Sequence, residues 1–423
     1  MNYYKNALQV LEMKINSPKP ISHVGLTLRE SRIRQHQTLE FVSDKICTPA
    51  TLSKIELGMI HPSPKILQNL LKRLTLDSIP DIKKSPHHDW LSSFRLVLDQ
   101  GNLHYLESIY QISSEPYPYQ TVLKQFVINL TLSHLNQIHL TYEYLLNFQP
   151  YMSLEECLLF YHFVGVYHLK LKNLILTIKY YRLAFKLSQH LKLENSLLSL
   201  HLAQYYFNFN HSIQAIHHLN DALQGFSSRY LMKYTLECEL LLCEDYIKNH
   251  VYTKVPPLMF KLYHQLKLDD PFHYLNRLLN LMGDYYFKIK EYNQAERYYK
   301  KALFSESTAP SSLMKLLHLY YQSAQSTKQV SLIQKVKLNK DLPQEIIYLI
   351  KYYEFLTHDP YGDLFRIFLL KEAIPVAIQS ADFHQYERYA TALINLYLEK
   401  GKYKMAFQTQ DKLSKYHESL LLS

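Results

Sequence analysis

Residues 38–58 read TLEFVSDKICTPATLSKIELG, and this stretch decides how the N-terminal part of the chain folds. Its apolar residues recur three and four positions apart on either side of a short break, which predicts two short helices that each bury one face. Thr48 is a preferred N-cap residue, and Pro49 suits the first helical position because its missing N–H would have no partner there. Gly58 is expected to end the second helix, since glycine adopts a left-handed conformation without strain. The stretch therefore predicts two helices joined by a tight turn.

The second of these helices would expose small and basic side chains at Ser53 and Lys54. A short helix that follows a tight turn and presents such groups is the element that enters the DNA major groove in helix-turn-helix proteins. Residues 21–76 hold eight basic and four acidic side chains. Net positive charge therefore coincides with the motif, as neutralisation of DNA phosphates requires.

This segment resembles the Cro/C1-type helix-turn-helix domain over residues 21–76. The resemblance is carried by Gly25, Arg29, Arg32, Thr38, Val42, Ile46, the SKIELG run at 53–58, Pro62 and Ser63. The sequence departs from the family pattern at Ser31, where an apolar residue is usual, and at Leu39, where a phosphate-binding glutamine is usual. The resemblance implies contact with double-stranded DNA through the second helix of the motif.

We expect six residues at the start of that helix to face the major groove: Thr48, Pro49, Ala50, Thr51, Ser53 and Lys54. Of these, Ser53 and Lys54 are the expected base readers, because lysine favours the O6 and N7 atoms of guanine. Phosphate contacts are predicted for Arg29, Arg34 and Lys65. Thr38, at the start of the preceding helix, completes the predicted DNA-binding set.

The composition excludes several classes of protein. The chain has 423 residues, a net charge of +10 and eight glycines, and no two glycines lie close enough to form a phosphate-binding loop. Its 22 histidines and four cysteines do not fall at metal-ligand spacing, and no nucleophile elbow stands out. We therefore predict neither an enzyme nor a metal or cofactor site. Neither a signal peptide nor an apolar membrane span is recognisable, which predicts a cytoplasmic protein.

From residue 91 onward the sequence is a succession of amphipathic helices that repeats. The clearest unit, residues 276–306, carries small residues where two helices can approach closely and tyrosines that fill the gap, namely Gly283, Ala295, Ala302, Tyr286 and Tyr299. The same skeleton recurs from Gly165 and from Ala203, which lie 38 residues apart, and Gly283 follows Ala203 by 80 residues, or two units of 40. This unit resembles a tetratricopeptide repeat.

We therefore predict an all-α protein with an N-terminal helix-turn-helix DNA-binding domain followed by a tetratricopeptide-like α-solenoid. The predicted divisions are an N-terminal extension at 1–20, the helix-turn-helix domain at 21–76, a linker at 77–90 and the helical repeat domain at 91–423. The last should hold roughly seven to nine helical pairs. Because a single repeat cannot bury its own face, the repeats are expected to stack into a superhelix with a concave inner surface.

The repeat frame predicts the polar side chains on this inner surface: Gln204, Asn208, Asn280, Asp284, Lys288, Gln322 and Asn395. Carboxamides offer both a donor and an acceptor, which matches the backbone of an extended peptide. Neighbouring aromatic residues are expected to form side-chain pockets: Phe207, Phe287 and Tyr321. Lys288 is a candidate partner for a peptide carboxylate, and Asp284 for a free amine.

The combination of a Cro/C1-type domain with tetratricopeptide-like repeats resembles the peptide-responsive, PlcR- and Rgg-like regulators of Gram-positive bacteria, the RRNPP group. The resemblance implies a homodimeric quorum-sensing transcription regulator in which a short signalling peptide changes how two DNA-binding domains meet their site. Two alternatives remain. One is a scaffold of helical repeats that does not bind DNA, and the other is a Rap-like modulator of a partner protein.

Overall fold

The computed structural model describes residues 3–16, 23–77, 90–100, 118–135, 138–268, 274–305, 310–337, 344–380 and 383–421. Every regular element within these ranges is helical, as the all-α prediction requires. The chain forms two compact units, residues 1–194 and 195–423. The predicted linker at 77–90 lies outside the described residues except at its two ends, so the predicted domain boundaries stay a prediction.

Five described helices precede residue 77, and their bounds are α1 (Tyr3–Asn16), α2 (His23–Arg34), α3 (Leu39–Ser43), α4 (Pro49–Glu56) and α5 (Pro64–Arg73). Helices α2–α5 share one core, made of the apolar faces that the sequence predicted, namely Leu28, Val42, Leu52, Ile55, Leu70 and Leu74. All six of these side chains are at most 1% exposed. The burial of this common core holds the short helices together, because helices of five to ten residues are not stable alone.

The turn chemistry predicted for α4 is confirmed. The hydroxyl of Thr48 accepts a hydrogen bond from the backbone N–H of Thr51 at 3.1 Å, and Pro49 is the first helical residue. Gly58 follows the helix with a φ of 68°, and the N–H of Met59 donates to the carbonyl of Lys54 at 2.8 Å. Local hydrogen bonds therefore fix both ends of α4.

Gly25 sets how closely α2 approaches the end of α4. A Cβ atom at this position would lie under 3.0 Å from the carbonyl oxygens of Ile55 and Glu56. Because both oxygens belong to the backbone of a buried helix end, they cannot move aside cheaply. Glycine is therefore required here for the close approach of the two helices.

The remainder of the first unit contains five described helices, α6 (Trp90–Gln100), α7 (Pro118–Thr131), α8 (Ile138–Phe148), α9 (Leu154–Lys170) and α10 (Leu174–Leu191). A 3₁₀ turn, Gln149–Tyr151, follows α8. The N-terminal helix α1 contacts this part of the unit: the Tyr161 hydroxyl donates to the carbonyl of Ala7 at 3.3 Å, and the Lys14 ammonium donates to the carbonyl of Pro150 at 2.8 Å.

The second unit contains thirteen described helices. They are α11 (Ser196–Asn208), α12 (Ser212–Ser228), α13 (Met232–Lys248), α14 (Val255–Leu268), α15 (Leu275–Lys288), α16 (Tyr292–Ser305), α17 (Pro310–Gln322), α18 (Ser326–Lys337), α19 (Gln344–His358), α20 (Asp363–Phe368), α21 (Ile374–Gln379), α22 (Phe383–Glu399) and α23 (Tyr403–Leu421). A π-helical turn, Leu369–Ala373, joins α20 to α21.

From α7 onward these helices form consecutive pairs, and α20 with α21 serves as the second member of one pair. Within the second unit, the first helices of successive pairs also contact one another, as α11, α13, α15, α17 and α19 show. The described part of the chain holds eight such pairs, within the predicted range.

Small residues in the first helix of a pair allow the second helix to come close. A Cβ atom on Gly283 would lie under 3.0 Å from the ring of Tyr299, and one on Gly165 would meet the ring of Tyr181 in the same way. The repeat between those of Ala203 and Gly283 has a cysteine at the corresponding position. Cys243 lies forty residues after Ala203 and forty before Gly283. Cys243 is fully buried, so a thiol occupies the small-residue position there.

Within the described ranges, no helix combines the length and the apolar character that crossing a membrane requires.

Substitution of Gly283 by alanine should destabilise the second unit, because the added methyl group would meet the Tyr299 ring, which is 2% exposed and cannot move away. Overpacking costs about 1–3 kcal/mol, and the better helix propensity of alanine offsets up to about 1 kcal/mol of this. We expect a net loss of about 1–2 kcal/mol in the free energy of unfolding, measured by urea denaturation followed by circular dichroism.

Gly362→Ala is the matched control. Its Cβ atom would meet only the carboxylate of Asp359, an exposed side chain that can rotate away. Gly362 is the N-cap of α20, where alanine is less favourable than glycine, so this control should lose no more than about 1 kcal/mol and less than Gly283→Ala. Equal unfolding midpoints for Gly283→Ala and the parent protein would show that the helices do not approach as closely as described.

Candidate DNA-binding surface and peptide groove

The exposed side of α4 carries most of the residues predicted to read DNA. Thr48, Pro49, Ala50 and Lys54 are exposed, while Thr51 and Ser53 are partly buried. The opposite side of the helix is closed, because Leu52 and Ile55 lie in the core. The six predicted residues therefore extend along α4 from its N-cap, Thr48, to Lys54 in its last turn, and Lys54 is exposed.

Three further residues of the predicted DNA-binding set are also exposed. Arg34 is 72% exposed and pairs with Glu30, one turn earlier on α2, at 2.8 Å. Lys65 is exposed in the first turn of α5. Thr38 is exposed and caps α3, because its hydroxyl accepts from the N–H of Phe41 at 3.2 Å. These positions are open to a phosphate backbone.

The prediction for Arg29 needs correction. Its guanidinium lies 5.7 Å from the centre of the Tyr151 ring, within the first unit, instead of on the open surface. Burial raises the pKa of Tyr151 to about 12, and the positive charge of Arg29 opposes this rise. Arg29 is thus engaged in packing, and we remove it from the candidate phosphate contacts.

Glu56 is a structural residue of this bundle that the sequence did not single out. Its carboxylate is 1% exposed and accepts two hydrogen bonds from Arg32, at 2.7 and 2.8 Å. This bidentate bond raises the pKa of Arg32. The backbone carbonyl of Glu56 in turn accepts a hydrogen bond from the Tyr151 hydroxyl. The end of α4 is therefore tied both to α2 and to the 3₁₀ turn after α8.

The second candidate site is a row of polar residues on the first helices of three pairs, which we name the ladder face. The position after each small residue is Gln204, Glu244 or Asp284, and the position one turn later is Asn208, Lys248 or Lys288. Each set recurs at intervals of forty residues, so equivalent positions carry the row from α11 through α13 to α15. The predicted peptide-binding set includes four of these six residues and lacks Glu244 and Lys248 on α13, where the small residue is a cysteine.

Hydrogen bonds join neighbouring helices along the ladder face. The Gln204 amide donates to the Glu237 carboxylate at 3.4 Å. Arg277 pairs with Glu237 at 2.7 Å and with Glu244 at 3.4 Å. Arg277 and Glu237 also lie forty residues apart, so the repeat spacing is the signal that would have identified them.

Two of the residues predicted to contact a peptide already have hydrogen-bond partners within the protein. Asp284 pairs with the Lys315 ammonium and accepts a hydrogen bond from the Tyr299 hydroxyl at 2.7 Å. Asn280 is 5% exposed, and its amide N–H groups donate to Asn276 and to Ser312 at 2.9 Å. Asp284 is therefore not free to receive an amine, and Asn280 is a packing residue. Both predictions are corrected accordingly.

The remaining predicted contacts fall into two groups. Exposed polar side chains occur at Asn208, Lys288, Gln322 and Asn395. The aromatic residues predicted to form pockets differ in burial: Phe207 is buried, whereas Phe287 and Tyr321 are partly buried.

Phe207 is 7% exposed and lies under the ammonium of Lys248, 4.7 Å from its ring centre, so it does not form an open pocket. Phe287 and Tyr321 are partly buried. Their ring centres lie 5.3 Å from that of His318 and 6.2 Å from that of Tyr353, respectively. These two aromatic residues are the better candidates for pocket walls.

Among the residues that the structure describes, no group of three or more histidine, cysteine, aspartate or glutamate side chains is arranged to hold a metal ion.

No protein-family model matches the chain. Over 404 residues the chain is 21% identical to the transcriptional activator NprA of Geobacillus stearothermophilus, an alignment that covers 86% of this chain and 96% of NprA. The similarity to NprA therefore extends over most of both proteins.

Solved structures of helical-repeat sensors share the fold. The apo quorum sensor NprR of B. thuringiensis gives a TM-score of 0.56 at 15% identity, covering 77% of this chain and 96% of NprR. A Rap protein complexed with competence and sporulation factor gives a TM-score of 0.57 at 16% identity, covering 78% of this chain and 97% of the Rap protein. NprR in complex with its cognate peptide NprX gives a TM-score of 0.54 at 16% identity, covering 73% of this chain and 97% of that NprR chain.

These relatives are regulators and helical-repeat sensors rather than enzymes, in agreement with the prediction that the chain is not an enzyme. The resemblance to the RRNPP regulators that the sequence indicated is thereby confirmed, together with the all-α, tetratricopeptide-like fold.

Proposed function

We propose that the protein is a cytoplasmic transcription regulator that binds DNA through α4 and binds a short extended peptide on the ladder face. The observation that carries this proposal is the pairing of two features in one chain. One is a capped α4 with exposed polar and basic residues, and the other is a row of polar side chains with a period of forty residues. The similarity to the transcriptional activator NprA over most of both chains supports the first feature.

DNA binding follows from the shape and charge of the α2–α5 bundle. The exposed side of α4 is small at Ala50 and carries the exposed cation Lys54, so it can approach base edges without steric conflict. Arg34 and Lys65 flank it on α2 and α5 and supply charge for the phosphate backbone. The boundaries predicted for this domain, residues 21–76, enclose all of these positions.

Peptide binding follows from the chemistry of the ladder face. Exposed carboxamides at Asn208 on the ladder face, and at Gln322 and Asn395 on the first helices of later pairs, can each donate to and accept from a peptide backbone. The neighbouring rings of Phe287 and Tyr321 offer apolar contact for side chains. The structural likeness to NprR in complex with its cognate peptide supports this assignment at the level of the fold.

A second candidate function is Rap-like modulation of a partner protein, which the structural likeness to a Rap protein favours. In that case the helical repeats would hold a protein and the α2–α5 bundle would not read DNA. Selection of bound sequences from random double-stranded DNA separates the two functions. Enrichment of a defined sequence supports the regulator, and no enrichment above the background of non-specific binding supports the modulator.

Lys54→Ala should weaken binding to the selected DNA sequence by about 1–3 kcal/mol while changing binding to random DNA much less, because Lys54 is assigned to base edges. Fluorescence anisotropy with both DNA probes at one fixed salt concentration measures the difference. Lys267→Ala removes the same charge at an exposed position of α14 and serves as the control. Equal weakening on both probes would reassign Lys54 to a phosphate contact.

Asn208→Ala and Asn395→Ala should each weaken peptide binding by about 1–3 kcal/mol, or roughly ten- to hundredfold, because each removes an amide from the proposed groove. Isothermal titration with a heptapeptide selected on the parent protein measures the effect. Asn147→Ala, at an exposed position of α8, is the control and should bind normally.

Asn280→Ala should behave differently from these two variants. It removes hydrogen bonds to Asn276 and Ser312, so its main effect should be a lower unfolding midpoint. If Asn208→Ala and Asn395→Ala both bind the peptide like the parent protein, the groove assignment is wrong.

We also propose that the protein is a homodimer, because a domain as small as residues 21–76 reaches one half-site and a two-fold operator needs two copies. Analytical ultracentrifugation at micromolar concentration, with and without the selected DNA, tests this. A dimer in either condition is expected. A monomer in both conditions would contradict the proposal.

A further inference from the structure

Arg388 on α22 is a guanidinium that lies beside a thioether and aromatic rings. It is partly buried, and its Nη1 donates to the thioether sulfur of Met314 on α17 at 2.8 Å. Burial raises the pKa of Tyr352 and of Tyr353, the latter to about 12, and the nearby charge of Arg388 opposes both rises. Within the described part of the chain, no carboxylate forms an ion pair with Arg388. Arg388 is therefore surrounded by a weak thioether acceptor and by aromatic rings.

A second cation lies close to the same place. Lys288, an exposed residue of the ladder face, and Arg388 both act electrostatically on His318. The acid that acts on His318 in the opposite sense is Asp284, which pairs with Lys315. The four charged groups therefore leave a net charge of about +2 around His318.

His318 reflects this positive environment. Burial, together with the charges of Arg388 and Lys288, lowers its pKa to about 4, and Asp284 opposes this shift. The imidazole is therefore neutral at pH 7 and retains one N–H that can donate to an anion. Its ring lies 5.3 Å from that of Phe287 and 6.4 Å from that of Tyr353, so the cations stand beside an aromatic wall.

We propose that Arg388 and Lys288, with the N–H of His318, form an anion subsite that binds a carboxylate of the peptide on the ladder face. This inference rests on the proposed function and adds to it that the bound peptide carries a carboxylate at a fixed place. A partly buried guanidinium without an acid loses hydration that a carboxylate restores through two parallel hydrogen bonds. The aromatic surroundings exclude water and strengthen that bond relative to one in solvent.

Two synthetic heptapeptide libraries with identical randomised sequences test the subsite, one with free carboxyl termini and one with amidated termini. Each is incubated with the immobilised full-length protein, and bound peptides are identified by mass spectrometry. Enrichment from the free-acid library alone assigns the subsite to the terminal carboxylate. Enrichment from both libraries, with aspartate or glutamate at one fixed position, assigns it to an acidic side chain.

The best heptapeptide is then titrated against variants. Arg388→Gln and Lys288→Gln should each weaken binding at least tenfold, whereas Arg366→Gln, which removes the same charge from α20, should not. Lys288 is exposed, so its variant folds even if Arg388→Gln does not. Peptides that bind equally with free and amidated termini, show no acidic preference and ignore both variants would overturn the subsite while leaving peptide binding intact. No peptide bound by the parent protein from either library would instead overturn the proposed function.

Discussion

The close approach of paired helices at a small residue is the constraint on which the second unit depends. At Gly283 the partner helix places a tyrosine ring where a Cβ atom would otherwise lie, and Ala203 and Cys243 hold the equivalent positions at intervals of forty residues. Because the small residue fixes the rotation of its helix, it also fixes which side chain follows it onto the ladder face. The spacing that allows packing is therefore the same spacing that aligns Gln204, Glu244 and Asp284.

A comparable constraint organises the first unit around the end of α4. Gly25 permits the backbone of α2 to touch the Glu56 carbonyl, Arg32 holds the Glu56 carboxylate, and the Tyr151 hydroxyl reaches the same carbonyl. An exposed helix of eight residues needs such an anchor, since its own hydrogen bonds cannot keep it in place. The surface proposed to read DNA is thus presented by a buried network on the other side of the same helix.

Local chemistry could be read from the sequence, and long-range pairing could not. The caps at Thr48 and Gly58 and the contact of Gly283 with Tyr299 depend on residue types at short, fixed spacing, so the sequence predicted them. Asp284 meets its lysine 31 residues later, and Asn280 meets Ser312 32 residues later. No periodicity reveals such partners, which is why both residues were first assigned to a peptide. Arg29 was misassigned for the same reason, because Tyr151 lies more than a hundred residues further along the chain.

The central claim is that one chain binds both DNA and a peptide and that the two events are linked. The most direct measurement is the affinity for the selected DNA sequence, by fluorescence anisotropy, with and without a saturating concentration of the selected heptapeptide. Linkage requires that a peptide favouring one arrangement of the protein changes DNA affinity, and typical coupling free energies correspond to about fivefold or more. A change of that size, in either direction, is the predicted result. An unchanged DNA affinity at a peptide concentration shown to saturate the protein would contradict the account.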